Sequence, residues 1–382
     1  MYDYTRAGMD ARALALTTLL LGGLAVGCAS DGTGPEQEFD EVAAAADVDA
    51  VLNTVDDDLI VTLLLAADGL ASAGGSASLM PPAAARPGTG GFAAIGAYGA
   101  DRLAAAASRL LPSLSSLSAS AEPIFPSNLL GLTFVWNGTQ YVADETIPGA
   151  PANGVRFIVY AINPVTRTPV EPLVEVGFLD LTDDGSAAST RLGIRMVDTT
   201  GAEPVDLIDY FIDVAFTVTE TTSTVILASI GFVSDGSETL DFELTQHLAF
   251  AESGGGSLVV DYEFTVQSTG LTLAFDAAVE FDAQTEESTG LSAALTLSEG
   301  SDVVVLSVME SPQGALDGEI TFNGATAILV AGTAASPQFT RPDGSELTAT
   351  EVQALVAIVD AITDVLLIAE ELFAPISGLL SA

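Results

Sequence analysis

Three consecutive segments within residues 239–282 alternate between apolar and polar side chains. A period of two places successive side chains on opposite faces of a β-strand. The intervening polar positions are largely acidic, as at Asp241, Glu243 and Asp261. The pattern therefore predicts strands with one buried face and one exposed, acidic face. The apolar positions are Leu240, Phe242, Leu244, Leu248 and Phe250, then Val260, Tyr262, Phe264 and Val266, then Leu271, Leu273, Phe275, Val279 and Phe281.

Short turn signals separate these segments from one another and from the apolar runs before them. The sequences DDGS, SDGS, SGGGS and SPQG recur along the chain, and Asn137-Gly138 is typical of a tight hairpin turn. Strands joined by short turns pair as antiparallel neighbours. We therefore predict a meander of about fourteen strands between residues 132 and 333.

The first strands of this region are apolar on both faces. From Phe157 to Tyr160 every residue is apolar or aromatic, and residues 173–181 behave similarly. A strand buried on both sides needs a second covering layer. Residues 42–131 contain Ala-rich stretches around a Gly-, Ala-, Ser- and Pro-rich segment. We expect helices from that region to cover these strands.

The end of the chain changes to a helical pattern. Thr348 and Glu351 form the sequence signature of a capping box, which predicts a helix that runs to about Phe373. Its apolar residues occupy much of the helical circumference, so we expect this helix to be buried in the core. They are Val352, Leu355, Val356, Val359, Ile362, Leu366 and Leu367.

Together these patterns predict a mainly β protein of the α+β class. A large antiparallel sheet, curled or shaped as a half-barrel, is expected at residues 132–333, packed on N-terminal helices and on a C-terminal helical segment at 334–382. A two-sheet sandwich and a transmembrane β-barrel are the alternatives. A terminal helix and the absence of aromatic girdles argue against the transmembrane β-barrel.

The single cysteine of the chain lies at the end of an apolar run. Arg6 and Arg12 precede fourteen mainly apolar residues at 13–26, and this run is too short to span a bilayer comfortably. The sequence LAVGC that ends at Cys28 resembles the lipobox of bacterial lipoprotein precursors. That resemblance implies removal of residues 1–27 as a signal peptide and acylation of Cys28.

The residues that follow are expected to join a lipid anchor to the folded part. Residues 28–41 are polar and acidic without periodicity, as expected of a tether. Ala29 is not the aspartate associated with retention in the inner membrane, so the resemblance favours the outer membrane. We therefore expect a cell-envelope protein attached to a membrane through its N-terminal lipid.

The formal net charge of the chain is −42, and all ten of its basic residues are arginine. Such a charge argues against nucleic acid as a partner. The absence of lysine excludes Schiff-base chemistry and a P-loop lysine. One cysteine and one histidine, His247, argue against a catalytic triad and a zinc site. Acidic turns such as those at Asp235 and Asp343 lack the spacing of a calcium loop, so we expect no metal, no cofactor and no catalysis.

A wide curled sheet also suggests a binding role. Its inner face is expected to carry six phenylalanines and to accommodate a lipid or another hydrophobic molecule. This architecture resembles the open barrels of periplasmic lipid and lipoprotein carriers of the outer-membrane localisation pathway. The competing hypothesis is a structural or protein-interaction lipoprotein whose core is filled by its own helices. The six candidate residues are Phe232, Phe242, Phe250, Phe264, Phe275 and Phe281.

Overall fold

The computed structural model describes residues 39–52 and 124–380, apart from 164–165, 167, 187–188, 220, 252–254, 283–287 and 334–335. The expected signal peptide, the lipidation residue Cys28 and most of the tether lie outside the described residues. So does most of the expected helical region at 42–131.

The described chain is mainly β, as predicted, and fifteen of its strands form one sheet. The strands are β1 (Thr133–Trp136), β2 (Tyr141–Asp144), β3 (Gly154–Tyr160), β4 (Ile162–Asn163), β5 (Thr168–Pro169), β6 (Glu175–Asp183), β7 (Thr190–Asp198), β8 (Val205–Val218), β9 (Thr222–Ser234), β10 (Thr239–Ala251), β11 (Gly255–Val266), β12 (Thr272–Asp282), β13 (Ser288–Glu299), β14 (Asp302–Glu310), β15 (Ala315–Phe322), β16 (Ala325–Thr333) and β17 (Ser336–Thr340).

From β6 to β17 each strand pairs antiparallel with the next, so the predicted meander is confirmed. The sheet departs from a meander at its start, because β1 pairs in parallel with β3 and places β2 at the edge. β4 and β5 form a separate hairpin. The two edge strands, β17 and β2, do not pair with each other, so the sheet is not closed into a barrel. One sheet also excludes the two-sheet sandwich.

Local signals in the sequence account for several boundaries. The predicted hairpin at Asn137-Gly138 joins β1 to β2, and the Asn137 side chain accepts hydrogen bonds from the backbone N–H groups of Thr139 and Gln140. Gly138 has a φ of +97°, which glycine adopts without strain. The sheet extends to Thr340, seven residues beyond the expected boundary at 333.

Two helices are described, α1 (Glu41–Leu52) and α2 (Ala349–Leu380). Asp40 caps α1, because its carboxylate accepts the backbone N–H groups of Val42 and Ala43. The predicted capping box of α2 is present. Thr348 N–H donates to Glu351 Oε2 at 2.6 Å, and Glu351 N–H donates to Thr348 Oγ1 at 3.3 Å.

The inner face of the sheet and both helices share one continuous hydrophobic core. Phe134 of β1 and Ile328 of β16 are both fully buried, although they lie near opposite edges of the sheet. A flat sheet of fifteen strands would be about 65 Å wide, whereas a helix is only about 10 Å across. Among the described residues, both helices therefore pack on this sheet within one core, and the sheet is not closed into a barrel.

α2 supplies the centre of this core. Of the residues predicted to be buried, Leu355, Val359 and Ile362 are inaccessible, and Val352 at the start of the helix is 36% exposed. Val356, Leu366 and Leu367 are half-buried. Among the described residues, α2 is the one helix whose length and apolar composition would allow it to cross a membrane. The core helix of a soluble protein meets the same criteria, and more than half of the apolar window is buried.

α1 is the described part of the expected N-terminal helical region, and it packs against α2 and against β11, β12 and β13. The rest of that region up to residue 123 lies outside the described residues, so its expected place over the early strands stays a prediction. On the outer face of β3 and β6, described side chains pack on one another. Arg156 lies 3.7 Å from the centre of the Phe178 ring and forms a bidentate ion pair with Asp180.

Candidate hydrophobic binding site

Five of the six predicted phenylalanines lie on the inner face of the sheet. They sit on three adjacent strands, β10 to β12, and each is at most 8% exposed. Phe242 lies directly opposite Phe264 in the register of β10 and β11. All five belong to the continuous core that includes α2. These residues are Phe242, Phe250, Phe264, Phe275 and Phe281.

The sixth residue, Phe232, lies on the outer face, so its predicted place was wrong. In the register of the sheet it is opposite Asp209 of β8 and Asp241 of β10, which are outer-face residues. The error has a physical cause, because β9 is apolar on both faces. Its inner positions include Val225 and Val233, and an apolar run of this kind does not reveal which alternate residues face inwards.

The aromatic residues near Phe242 hold the C-terminal part of α2 against the sheet. The rings of Tyr210 and Phe242 meet edge to face at 5.4 Å between centroids. Gly231 lies between them in the register, and a side chain there would come within 2.5 Å of Tyr210. The Tyr210 hydroxyl donates a 3.0 Å hydrogen bond to the carbonyl of Leu372 in α2. Burial raises the pKa of Tyr210, so this hydroxyl stays a neutral donor.

A second polar pair lies deeper along the same face. Gln246 Nε2 donates a 2.6 Å hydrogen bond to the hydroxyl of Tyr262, and burial raises the pKa of that tyrosine. Ser229 is 1% exposed, and within the described part of the chain its hydroxyl has no hydrogen-bond partner. Because these hydroxyl groups are neutral and lie inside an apolar core, we expect them to hold neighbouring side chains in place and not to exchange protons with solvent.

An open cleft of about 490 Å³ lies where the ends of four strands meet. β9 begins there at Thr222, β10 ends at Ala251, β11 begins at Gly255 and β12 ends at Asp282. Its volume falls within the range of about 300–1,000 Å³ typical of small-molecule sites. Two phenylalanines of the inner face, Phe250 and Phe281, are among the residues that line this cleft, and they are only 8% and 2% exposed. Its described lining consists of Thr222, Ala249, Phe250, Ala251, Gly255, Gly256, Ser257, Glu280, Phe281 and Asp282.

Phe250 and Phe281 pack against each other where they border the cleft. Their rings meet nearly perpendicularly, with centroids 5.9 Å apart. Gly256 stands between them in the register. A Cβ at Gly256 would lie 2.4 Å from the Phe281 ring, so only glycine lets that ring cover the backbone of β11. The cleft thus depends on a residue without a side chain.

Carboxylates also line the cleft. Glu280 and Asp282 both line the cleft and are exposed. No basic side chain occurs among the described lining residues. The cleft therefore combines apolar surface with negative charge.

The outer face of the sheet is divided by charge. On β3 to β8, arginines pair with carboxylates, as in Arg156–Asp180, Arg191–Asp213 and Arg195–Asp206. On β10 to β12, like charges face each other across neighbouring strands. Glu243 is opposite Glu263, and Asp261 is opposite Asp276. Directly opposed like charges destabilise a sheet.

Replacing Asp276 with asparagine is expected to raise the free energy of unfolding at pH 7 by about 0.5 kcal/mol. Partial removal from water and the nearby Asp261 raise the pKa of Asp276 above its usual 3.8. A raised pKa in the folded state means that stability is highest with this carboxyl protonated and is lost as the pH rises through that pKa. Asp276→Asn should therefore also flatten the loss of stability above about pH 4.

Urea titrations at several pH values measure this effect. Asp317→Asn is the control, because Asp317 faces Met309 and Ala331 rather than a carboxylate. Equal stabilisation by the two substitutions would show that overall charge, and not the opposed pair, is responsible.

The acidic turns use their carboxylates to hold the backbone. Asp235 accepts the backbone N–H groups of Ser237 and Glu238, and these hydrogen bonds lower its pKa. Asp343 accepts the N–H of Ser345 in the same manner. Among the described residues, no group of three or more metal-binding side chains is found.

Sequence reasoning named Phe250 and Phe281 as candidate residues but missed the other residues that line the cleft. The sequence SGGGS was interpreted as a turn, whereas Gly255 and Gly256 already belong to β11. The available signal was Gly256, a strand residue without a side chain that pairs with Phe250 on one neighbouring strand and with Phe281 on the other. Recognising this signal requires the register of three strands, which the sequence did not supply. His247 lies on the outer face, as predicted, opposite Ile226 and Val259.

Comparison with known protein families, curated proteins and solved structures finds no match to this chain. The chain's own residues therefore carry the functional inference.

Proposed function

We propose that this protein is a non-catalytic, membrane-anchored lipoprotein of the cell envelope that binds a hydrophobic small molecule or lipid. The cleft at the ends of β9 to β12 is the observation that carries the binding role. It has the volume of a small-molecule site, and Phe250 and Phe281 are among its lining residues. Binding sites of this kind are mostly apolar with a few polar groups that orient the ligand.

The architecture supports a binding role at a membrane. A large sheet packs on a long apolar helix, and its two edge strands, β17 and β2, do not pair with each other as they would in a closed barrel. A protein tethered beside a bilayer meets lipids at high effective concentration. The expected anchor at Cys28 would provide that tether.

A structural or protein-interaction lipoprotein is the second candidate function. The observation that favours it is the burial of Phe242, Phe264 and Phe275, which are at most 4% exposed and pack in the core shared with α2. Under this alternative the inner face is covered entirely by the protein's own core residues, and the cleft holds only water.

Substitution of the sole cysteine tests the anchor. Cys28→Ser is expected to leave the precursor unprocessed and without acyl chains, because the thiol is the acylation site that the lipobox resemblance implies. Fractionation and intact-mass measurement of the protein produced in a bacterial envelope provide the readout. Processing and membrane association equal to those of the parent protein would refute the assignment.

Uptake of an uncharged hydrophobic fluorophore, N-phenyl-1-naphthylamine, tests the binding role. The chain from residue 29 is suitable because its compact unit begins at Phe39, and a cooperative thermal transition is checked first. We expect saturable binding at micromolar concentration. Ala249→Trp should weaken it about tenfold by filling the cleft, a loss of about 1.4 kcal/mol.

Ala274→Trp is the matched control, because Ala274 is also a half-buried alanine on the outer face, on β12 opposite Glu263. It should leave the affinity unchanged. Absence of saturable uptake by the parent chain would favour the structural alternative instead.

A further inference from the structure

We propose that Asn137 is a modification site, at which the fold promotes spontaneous deamidation to aspartate and isoaspartate. The chain contains three Asn-Gly sequences, which begin at Asn137, Asn153 and Asn323. Such sequences are prone to this reaction because glycine has no side chain to shield its backbone nitrogen. All three asparagines are exposed. Their hydrogen bonds differ, however, and these differences single out Asn137.

The reaction needs only the side-chain amide, the next backbone nitrogen and water. The Gly138 nitrogen attacks Asn137 Cγ and forms an N–Cγ bond, and the Cγ–Nδ2 bond breaks. Nδ2 leaves as ammonia with the proton that the Gly138 nitrogen gives up. Water then opens the resulting succinimide ring at either carbonyl, which yields aspartate or isoaspartate. The rate therefore depends on how freely the leaving and attacking nitrogens reach the reactive geometry.

The turn between β1 and β2 activates the side chain of Asn137. Its Oδ1 accepts the backbone N–H groups of Thr139 and Gln140, both at 3.0 Å. Two such donors stabilise the negative charge that develops on this oxygen when Cγ is attacked. Among the described residues, none accepts a hydrogen bond from Asn137 Nδ2 or from the Gly138 N–H. The carbonyl is thus polarised, while the leaving group and the nucleophile are unrestrained.

At Asn153 both nitrogens are held by hydrogen bonds. Asn153 Nδ2 donates to the carbonyl of Asp183 at 3.0 Å and to Asp184 Oδ1 at 2.9 Å. The N–H of Gly154 donates to the carbonyl of Pro151 at 3.1 Å, which restrains the nucleophile. This site should therefore react slowly in the folded chain.

At Asn323 the side chain is held at both ends. Its Nδ2 donates to Asp302 Oδ1 at 3.3 Å, and its Oδ1 accepts the backbone N–H of Val303 at 2.9 Å. The hydrogen bond to a carboxylate is stronger than one between neutral groups and has to break before Nδ2 can leave. We therefore expect Asn137 to react about tenfold faster than the other two sites, the effect of one hydrogen bond to a charged group.

Deamidation of Asn137 would alter the edge of the sheet, because this turn leads into the edge strand β2. Aspartate can still accept the two backbone N–H groups, whereas isoaspartate inserts an additional methylene group into the backbone of the turn. Trp136, the only tryptophan of the chain, directly precedes this position. Its ring meets that of Tyr141 edge to face at 5.5 Å, so its fluorescence reports a change in the hairpin.

Incubation of the full chain at mildly alkaline pH, in water enriched in heavy oxygen, tests the proposal. Peptide mass spectrometry localises the incorporated oxygen and distinguishes isoaspartate from aspartate. A parallel incubation in urea removes the fold, and there we expect the three sites to react at similar rates. Asn137→Gln should abolish the time-dependent change in Trp136 fluorescence, because glutamine cyclises far more slowly.

Two results would overturn this assignment. The first is an equal or slower reaction at Asn137 than at Asn153 and Asn323 in the folded chain. The second is the same advantage of Asn137 in urea, which would show that the neighbouring sequence, and not the hydrogen bonds of the turn, determines its reactivity.

Discussion

Deletion of residues 346–382 is expected to abolish cooperative folding of the chain. The deleted segment contains α2, in which eight large apolar side chains are at most 5% exposed. Burying one such side chain contributes about 1.5–3 kcal/mol, so the eight together are comparable with the entire stability of a typical domain, about 5–15 kcal/mol. The inner face of the sheet would also lose its cover. These side chains are Leu355, Ile358, Val359, Ile362, Val365, Ile368, Leu372 and Phe373.

Thermal unfolding followed by circular dichroism measures this result, and binding of a hydrophobic dye reports the exposed inner face. Two point variants of the same helix provide a graded check. Leu355→Ala should cost about 3 kcal/mol because Leu355 is fully buried. Val352→Ala should change stability by less than about 0.5 kcal/mol, since Val352 is 36% exposed. A melting curve unchanged by the deletion would show that α2 is an appendage.

The strands and α2 were predictable because local signals determine them. Alternation along β10 to β12 follows directly from the requirement to bury one face, and the capping box at Thr348 marks the start of α2. The parallel pairing of β1 with β3 was not predictable. It depends on which strands meet at the sheet edge, and a short hairpin such as β1–β2 carries no information about that.

The placement of α1 and of the candidate site depended on contacts between distant parts of the chain. α1 buries small residues such as Ala44 and Ala45, and nothing in an Ala-rich pattern specifies the layer against which it packs. The five inner phenylalanines could be assigned from alternation, whereas Phe232 could not. The cleft arises from the register of three strands around Gly256, which is a property of the assembled sheet.

Arg341 contacts both helices, of which α1 is 300 residues away in sequence. It follows β17 directly, and its guanidinium contacts Glu41 of α1 at 2.8 Å and Glu351 of α2 at 3.1 Å. The Glu41 side chain is only 5% exposed. A buried carboxylate without a positively charged partner is strongly unfavourable. Arg341 therefore connects the edge of the sheet to both helices.

Arg341→Met is expected to lower the free energy of unfolding by about 3 kcal/mol, because it leaves Glu41 buried without its counter-charge. Arg195→Met is the matched control. Arg195 pairs with Asp206 in an exposed ion pair, 50% and 38% accessible, and should contribute less than about 1 kcal/mol. Urea unfolding of both variants gives the comparison.

A second substitution distinguishes the effect of losing the ion pair from the effect of losing side-chain packing. Adding Glu41→Leu to Arg341→Met removes the unpaired buried charge and should recover most of the lost stability, because a buried ion pair can often be replaced by apolar residues of similar volume. If Arg341→Met were no more destabilising than Arg195→Met, the sheet edge and the two helices would be held together by the apolar core alone.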